Sequence, residues 1–416
     1  MKNLIEYSLS VLGTVDEQIV AYSVLWGRYA HRSSTIVIDN FNVYNFSVGW
    51  LGNSGILVSK WDGQSLVANI ADASNVPELV EDRVPRCIHA WKDGNNILVA
   101  IGASASLVKD VDHRLVVLRF DKQTNQFEFL DSAPHVTVID SLTVGRKTGG
   151  DTFLVLGTMK DRGEELEQRP NVVVYEWNRQ SETLSFIAES EFNIAMSCHA
   201  VGAWESGGDL YISSAYRTYS GTVGTKSFEL FKLTNNELTF LAGHRLEAEG
   251  SFYTFGTGGV DDGQGGSYIY IGIEKQPYAR LLHWDGVNAT LVGTYTIYNR
   301  SAHSVHLDKS TDRWFILAGG TTINAKGRVV LLEGVDMSLV YQSNADFLDL
   351  DGNYIAESSA MDSDGNGNIF SFVSARDGLD SNKHRSYLIK ASIPIDTPII
   401  SSQQVNSQIQ ISWNYP

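Results

Sequence analysis

Short runs of β-branched and aromatic residues, separated by clusters of Gly, Asp, Asn and Ser, occupy most of the chain. One stretch reads Ile88 to Trp91, a turn at Lys92 to Asn96, then Ile97 to Ala103. A longer loop follows, then Leu115 to Asp121, a short turn, and Gln126 to Leu130. Four strands joined by turn chemistry are the prediction for such a stretch. No segment carries the 3.6-residue periodicity of an amphipathic helix.

The third run of this unit recurs. Its anchors are Trp61, Phe120, Trp177, Leu233, Trp284, Leu332 and Lys390, spaced on average about 55 residues apart. The second run recurs as well, at Thr35 to Ile38, Phe153 to Gly157, Leu210 to Ser213, Tyr268 to Gly272, Trp314 to Gly319 and Ile369 to Phe372. Seven anchors predict an all-β, seven-bladed β-propeller with four antiparallel strands per blade. Radial repetition hides sheet edges, and each blade covers the faces of its neighbours. The last unit has no fourth strand of its own, whereas Ile5 to Leu12 is a strand without a unit. The N-terminal strand is therefore expected to complete the last blade and close the ring.

The propeller is expected over residues 1–393, with a C-terminal extension over 394–416. In that extension Thr397 to Ile400 and Gln408 to Trp413 alternate apolar and polar positions. They resemble the first strands of a fibronectin type III module, whose early Trp packs in the sandwich core.

Naming the strands of a unit A to D, the A–B and C–D turns fall on one face of the disc and the B–C and D–A loops on the other. The A–B turns are short and rich in Asp, Gly and Asn, which reverse a chain tightly. The B–C and D–A loops are longer and more varied, and loops on a rigid scaffold are where binding residues concentrate. The candidate binding residues on that face are Tyr44, Phe46, Trp50, Arg83, Tyr216, Arg217 and Tyr219. His199 and His303 share a strand-A level, eleven residues before their second strands, and His89 and His306 share another.

The order Val174-Tyr175-Glu176-Trp177-Asn178, Leu184 to Ile187, Cys198 to Trp204 and Leu210 to Ile212 resembles the EPTP/EAR repeat. Leu233, Leu332 and Lys390 depart from its aromatic position. The resemblance implies an extracellular propeller that binds proteins or adheres, without catalysis.

Composition narrows the classes. With 48 acidic and 32 basic residues the formal net charge is −16, which argues against nucleic acid and against anionic membrane surfaces. No apolar run reaches the ~18–20 residues that span a bilayer, so membrane insertion is not expected. Two cysteines, Cys87 and Cys198, form no disulfide framework and no zinc pattern. Glu6 interrupts any apolar leader, so a signal peptide is not expected. Asp362, Asp364, Asn366 and Asn368 alternate oxygen donors as a calcium loop does, although a tight turn needs the same residues. No other cofactor is expected. No H-E-x-x-H, G-x-S-x-G or Walker motif occurs, and no pair of carboxylates is singled out by its spacing.

These features lead to a non-enzymatic binding or scaffold propeller. Its expected setting is a virion, as a phage tail or baseplate protein made in the cytoplasm, with protein partners or a surface glycan. A secreted adhesin is the alternative, and a propeller polysaccharide hydrolase or lyase is the further one.

Overall fold

The computed structural model describes residues 8–18, 33–49, 55–71, 73–80, 83–105, 113–135, 137–159, 170–191, 197–217, 227–244, 254–273, 279–295, 302–308, 313–322, 325–333, 338–342, 354–366, 368–377, 383–392, 399–405 and 408–414. Apart from β1 (Ser8–Gln18), the first repeat is β2 (Ser33–Asp39), β3 (Asn42–Val48), β4 (Ile56–Trp61) and β5 (Leu66–Ala71). A one-turn helix, α1 (Pro77–Val80), leads to β6 (Arg83–Asp93), β7 (Asn96–Ala105), β8 (His113–Asp121) and β9 (Gln126–His135). Next come β10 (Val138–Arg146), β11 (Thr152–Met159), β12 (Val172–Asn178) and β13 (Thr183–Glu189). The fourth repeat is β14 (Ser197–Ser206), β15 (Asp209–Arg217), β16 (Phe228–Thr234) and β17 (Glu237–His244). The fifth is β18 (Thr254–Asp261), β19 (Ser267–Ile273), β20 (Ala279–Trp284) and β21 (Ala289–Tyr295). The sixth is β22 (Ala302–Asp308), β23 (Arg313–Thr322), β24 (Ala325–Glu333) and β25 (Ser338–Gln342). The last has three strands of its own, β26 (Tyr354–Ser363), β27 (Asn368–Asp377) and β28 (Lys383–Ser392). β29 (Ile399–Val405) and β30 (Gln408–Asn414) pair with each other as a separate hairpin.

Every pairing is antiparallel and follows chain order within a repeat, and the first strand of each packs against the first strand of the next. β26 packs back on β2, so these inner strands form a closed ring, and the fold is a β-propeller. The blade sheets number six, not the seven separate ones expected. The third and fourth four-strand repeats share one eight-stranded sheet, because β11 reaches β14 through the single bridge Met159–Ser197.

Closure follows the expectation. β1 lies along β28, from Ser8 opposite Ser392 to Gln18 opposite Lys383, and so supplies the fourth strand of the last repeat. The strand runs further along the chain than Ile5 to Leu12. Ile36 and Val43 of the first repeat pack in one cluster with Ala360, Phe370, Phe372 and Leu388 of the last, so side chains join the ends as well.

Burial explains the sequence pattern. The second and third strands are sandwiched between neighbouring repeats on both faces, so β11 is buried at seven of its eight positions and reads as a continuous apolar run. The outermost strand β13 is mostly exposed and mixes polar with apolar residues. The core is thus a series of layers between repeats. Val99, Ile101 and Val116 of the second repeat meet Phe46 and Val58 of the first, and its Leu98, Ala100 and Val117 meet Leu154 and Leu156 of the third.

Polar contacts stitch the face that carries the A–B and C–D turns. Asp39, at the end of β2, receives Lys92 at 2.7 Å and Lys122 at 2.6 Å from the next repeat. Burial alone would raise its carboxyl, but the two ammonium groups hold it below the ordinary range. Arg179 meets Asp93 at 3.0 Å, Glu205 accepts the Thr148 backbone N–H at 2.8 Å, and Trp204 Nε1 donates to Ser267 Oγ at 2.9 Å. Among the described residues, no helix is long and apolar enough to cross a membrane.

Candidate active site

The inner strands share one irregularity. In six consecutive repeats the ladder between first and second strands skips one residue of the first strand, and each skipped residue lies near that strand's start. The skipped residues are Arg86 on β6, Asp140 on β10, His199 on β14, Phe255 on β18, His303 on β22 and Glu357 on β26. A bulge of this kind turns a side chain out of the ladder, and bulges recur beside active sites. Since the inner strands start from the D–A connections, the bulges lie toward the loop-rich face of the disc.

Three of these residues meet. Arg86 Nη2 lies 3.9 Å from Asp140 Oδ1, and His199 Nε2 lies 3.6 Å from Asp140 Oδ2. The Asp140 side chain is 1% exposed, against 12% for Arg86 and 19% for His199. A buried carboxylate therefore stands between a guanidinium and an imidazole, each of which reaches solvent. Both distances are charge-pair contacts, too long for direct hydrogen bonds.

The residue after each bulge is small: Cys87, Ser141, Ala200, Gly256, Ser304 and Ser358. Two of them tie neighbouring strands together. Ser141 Oγ donates to the Cys198 carbonyl at 3.0 Å, linking the backbone beside Asp140 to the backbone beside His199. Cys87 Sγ repeats that bond one repeat earlier, to the Ile139 carbonyl at 3.9 Å. Gly157, opposite Ser141, makes room for this link, since a Cβ there would lie 2.1 Å from Ser141 Oγ and 2.8 Å from the Cys198 carbonyl.

Behind His199 lies a second polar group. Tyr216, opposite Cys198 on β15, donates to Glu229 Oε2 at 2.6 Å and accepts from Ser214 Oγ at 2.7 Å. Burial pushes the Tyr216 hydroxyl far above its ordinary range. Burial, reinforced by the charges of Asp140 and Glu229, does the same to the Cys198 thiol, so this cysteine stays protonated and is no nucleophile. His89 lies elsewhere, and desolvation followed by the charge of Arg146 lowers it to about 4. It is a neutral imidazole at neutral pH.

The sequence-selected binding residues fare differently. Tyr44 and Phe46 belong to β3 and are buried at 1% and 0%, packed on Phe120 with centroids at 5.7 and 5.4 Å. Thr35 to Ile38 is the first strand of its repeat rather than the second, and that one-strand offset had placed both aromatics in a loop. Tyr216 is likewise buried in β15 rather than displayed on a loop. Arg83 opens β6 and Arg217 closes β15. Trp50 and Tyr219 lie outside the described residues.

In the calcium candidate, the Asp364 carboxylate is engaged by the turn itself: Oδ1 accepts the backbone N–H of Asn366 and Asn368, and Oδ2 accepts Asn368 Nδ2. Gly365 takes φ 72°, as a tight turn requires. Asp362 Oδ1 accepts the Ser363 N–H at 2.9 Å, and desolvation pushes its carboxyl up to about 7. Among the described residues, no group of three or more His, Cys, Asp or Glu is arranged to hold a metal ion.

No family model and no curated protein matches the chain, and the EPTP/EAR and fibronectin type III resemblances find no support there. Solved structures do match. The polysaccharide lyase Uly1 superposes with a TM-score of 0.51 at 11% identity, covering 89% of this chain and 92% of its own. An ulvan lyase of the PL25 family gives 0.52 at 13% identity, covering 85% and 91%. BBS1N, solved in complex with ARL6DN, gives 0.54 at 11% identity, covering 94% and 98%.

At such identities the likeness is one of fold. These neighbours nonetheless overturn the expectation of a non-catalytic protein, because polysaccharide lyases stand among them. A virion role has no counterpart in them.

Bulge residues were partly visible in the sequence. His199 and His303 stood out by their shared level and Arg86 by its place on a D–A connection of the loop-rich face, while Asp140 and Glu357 did not, because a skipped ladder position leaves no mark in an apolar pattern.

Proposed function

We propose that the protein is a propeller polysaccharide lyase that cleaves a uronate-containing chain by β-elimination at the inner-strand bulges. The observation that carries this reading is the cluster of Arg86, Asp140 and His199 on three consecutive bulges. β-Elimination removes the proton α to a uronate carboxylate. It therefore needs a base beside a cation that stabilises the charge growing on that carboxylate.

His199, partly exposed, is the base. Asp140, 3.6 Å from its Nε2, balances the charge that the imidazole acquires. Arg86 is the cation that the uronate carboxylate meets, with a planar fork of donors suited to it. The fold shared with two polysaccharide lyases supports this reading. Glycoside hydrolysis is the poorer fit, since it requires two carboxylates flanking the scissile bond. Asp140 is almost wholly covered and is already engaged between Arg86 and His199.

Incubation with a panel of uronate polymers tests this reading through the ultraviolet absorbance of the unsaturated product. The wild type is expected to act on at least one polymer. His199→Ala is expected to lose about 100-fold or more in rate, the usual range for a general base, with its melting midpoint retained. No unsaturated product from any polymer would overturn the assignment.

A further inference from the structure

The same bulge recurs on the outer strands, and its residues are of the opposite kind. Where the outer strand of a repeat skips one residue, that residue is Leu130, Ile187, Leu241, Val292, Val340 or, on the closing strand, Leu12. All six are apolar, and Leu130, Ile187 and Leu241 pack against the layers between repeats. On the inner strands five of the six skipped residues are ionisable, in a chain where only about a fifth of residues are. A bulge by itself thus demands no polar residue. The inner ones have been given polar residues at one level of the ring.

Their order around that ring is Arg86, Asp140, His199, Phe255, His303, Glu357. On one side of Phe255 a carboxylate residue and a histidine occupy neighbouring strands, and on the other side a histidine and a carboxylate residue do so. β22 packs between β18 and β26, which makes His303 and Glu357 neighbours in register as Asp140 and His199 are. From this juxtaposition we infer that His303 and Glu357 form the second half of the site, with His303 as the general acid of the elimination.

The inference rests on the lyase reading, and its chemistry balances within it. His199 takes the proton α to the carboxylate, and that electron pair becomes the new carbon–carbon double bond. The glycosidic C–O bond at the β position breaks, and the leaving sugar oxygen takes its proton from the His303 imidazolium. Both histidines return to their starting states by proton exchange with water. Glu357 is a positioning residue for His303.

The test compares two leaving groups. One substrate is a uronate oligosaccharide, whose departing alkoxide needs a proton. The other is a uronide bearing a nitrophenoxy group at the same carbon, which departs without one. His303→Gln is expected to lose roughly 100-fold or more on the oligosaccharide and less than about tenfold on the nitrophenoxy substrate. Glu357→Gln is expected to show a smaller loss with the same bias, and His306→Gln, on the same strand away from the bulge, to remain within about twofold of wild type.

Equal losses on both substrates, or no loss in either variant, would overturn the inference while leaving the lyase reading intact. A wild type that cleaves neither substrate would overturn both. Should His303→Gln fail to fold, the leaving-group bias of Glu357→Gln decides.

Discussion

Ser141 is the residue through which the site depends on the fold. Its hydroxyl joins the backbone beside Asp140 to the backbone beside His199 and is almost wholly buried. Ser141→Ala removes a buried donor and leaves the Cys198 carbonyl short of it, at a cost of about 1–3 kcal/mol in stability. Activity is expected to fall further than stability, because the two bulges lose their common anchor. Ser141→Cys restores the donor that Cys87 supplies one repeat earlier, and is expected to recover part of the loss. Denaturant unfolding and rate assays on the two variants check this.

Asp362 offers a test of a different kind. Its carboxyl is raised to about 7 in the fold, from an ordinary value of 3.8. A folded-state pKa above the unfolded one means that the folded protein holds a proton that the unfolded chain has released. Its contribution is present below about pH 4 and is lost as pH rises toward 7. The melting midpoint of wild type relative to Asp362→Asn should therefore decline across that window. A difference that stays constant with pH would show Asp362 to be ordinary.

At the scale of elements, much of the propeller could be read from the sequence. The third-strand anchors fall in β4, β8, β12, β16, β20, β24 and β28, and β8 and β12 show why: such strands are buried over most of their length and carry apolar runs. The shared level of His199 and His303 was legible for the same reason, since both were counted back from such runs. The first repeat was misread by one strand. Its inner strand, Ser33–Asp39, carries the short apolar run Ile36-Val37-Ile38, which resembles the runs of second strands elsewhere, and nothing in its pattern marks it as innermost. Tyr44 and Phe46 were carried into a loop by that slip. The Arg86–Asp140–His199 cluster was not legible, because it depends on three strands from different repeats meeting at one level.

The face that carries the A–B and C–D turns has its own prediction. Asp39→Asn removes the carboxylate that holds Lys92 and Lys122, and is expected to lower stability by about 1–2 kcal/mol without changing catalysis on the opposite face. Equilibrium unfolding together with the product assay separates the two effects.

For the whole molecule, closure and charge matter most. β1 completes the last repeat, so deletion of residues 1–18 exposes the edge of β28 and opens the ring. Thermal unfolding of the truncated chain is expected at a markedly lower midpoint and with lost cooperativity, and an unchanged midpoint would contradict the closure. The net charge of −16 repels a polyanionic substrate at long range. Moderate salt, by screening that repulsion, is expected to raise kcat/KM rather than lower it. The measurement that bears most directly on the account is the appearance of unsaturated product from a uronate polymer, followed side by side in wild type and His199→Ala. The account predicts product from the wild type and a loss of about 100-fold or more in a variant that melts normally. Equal rates in the two proteins, or no product from either, would contradict it.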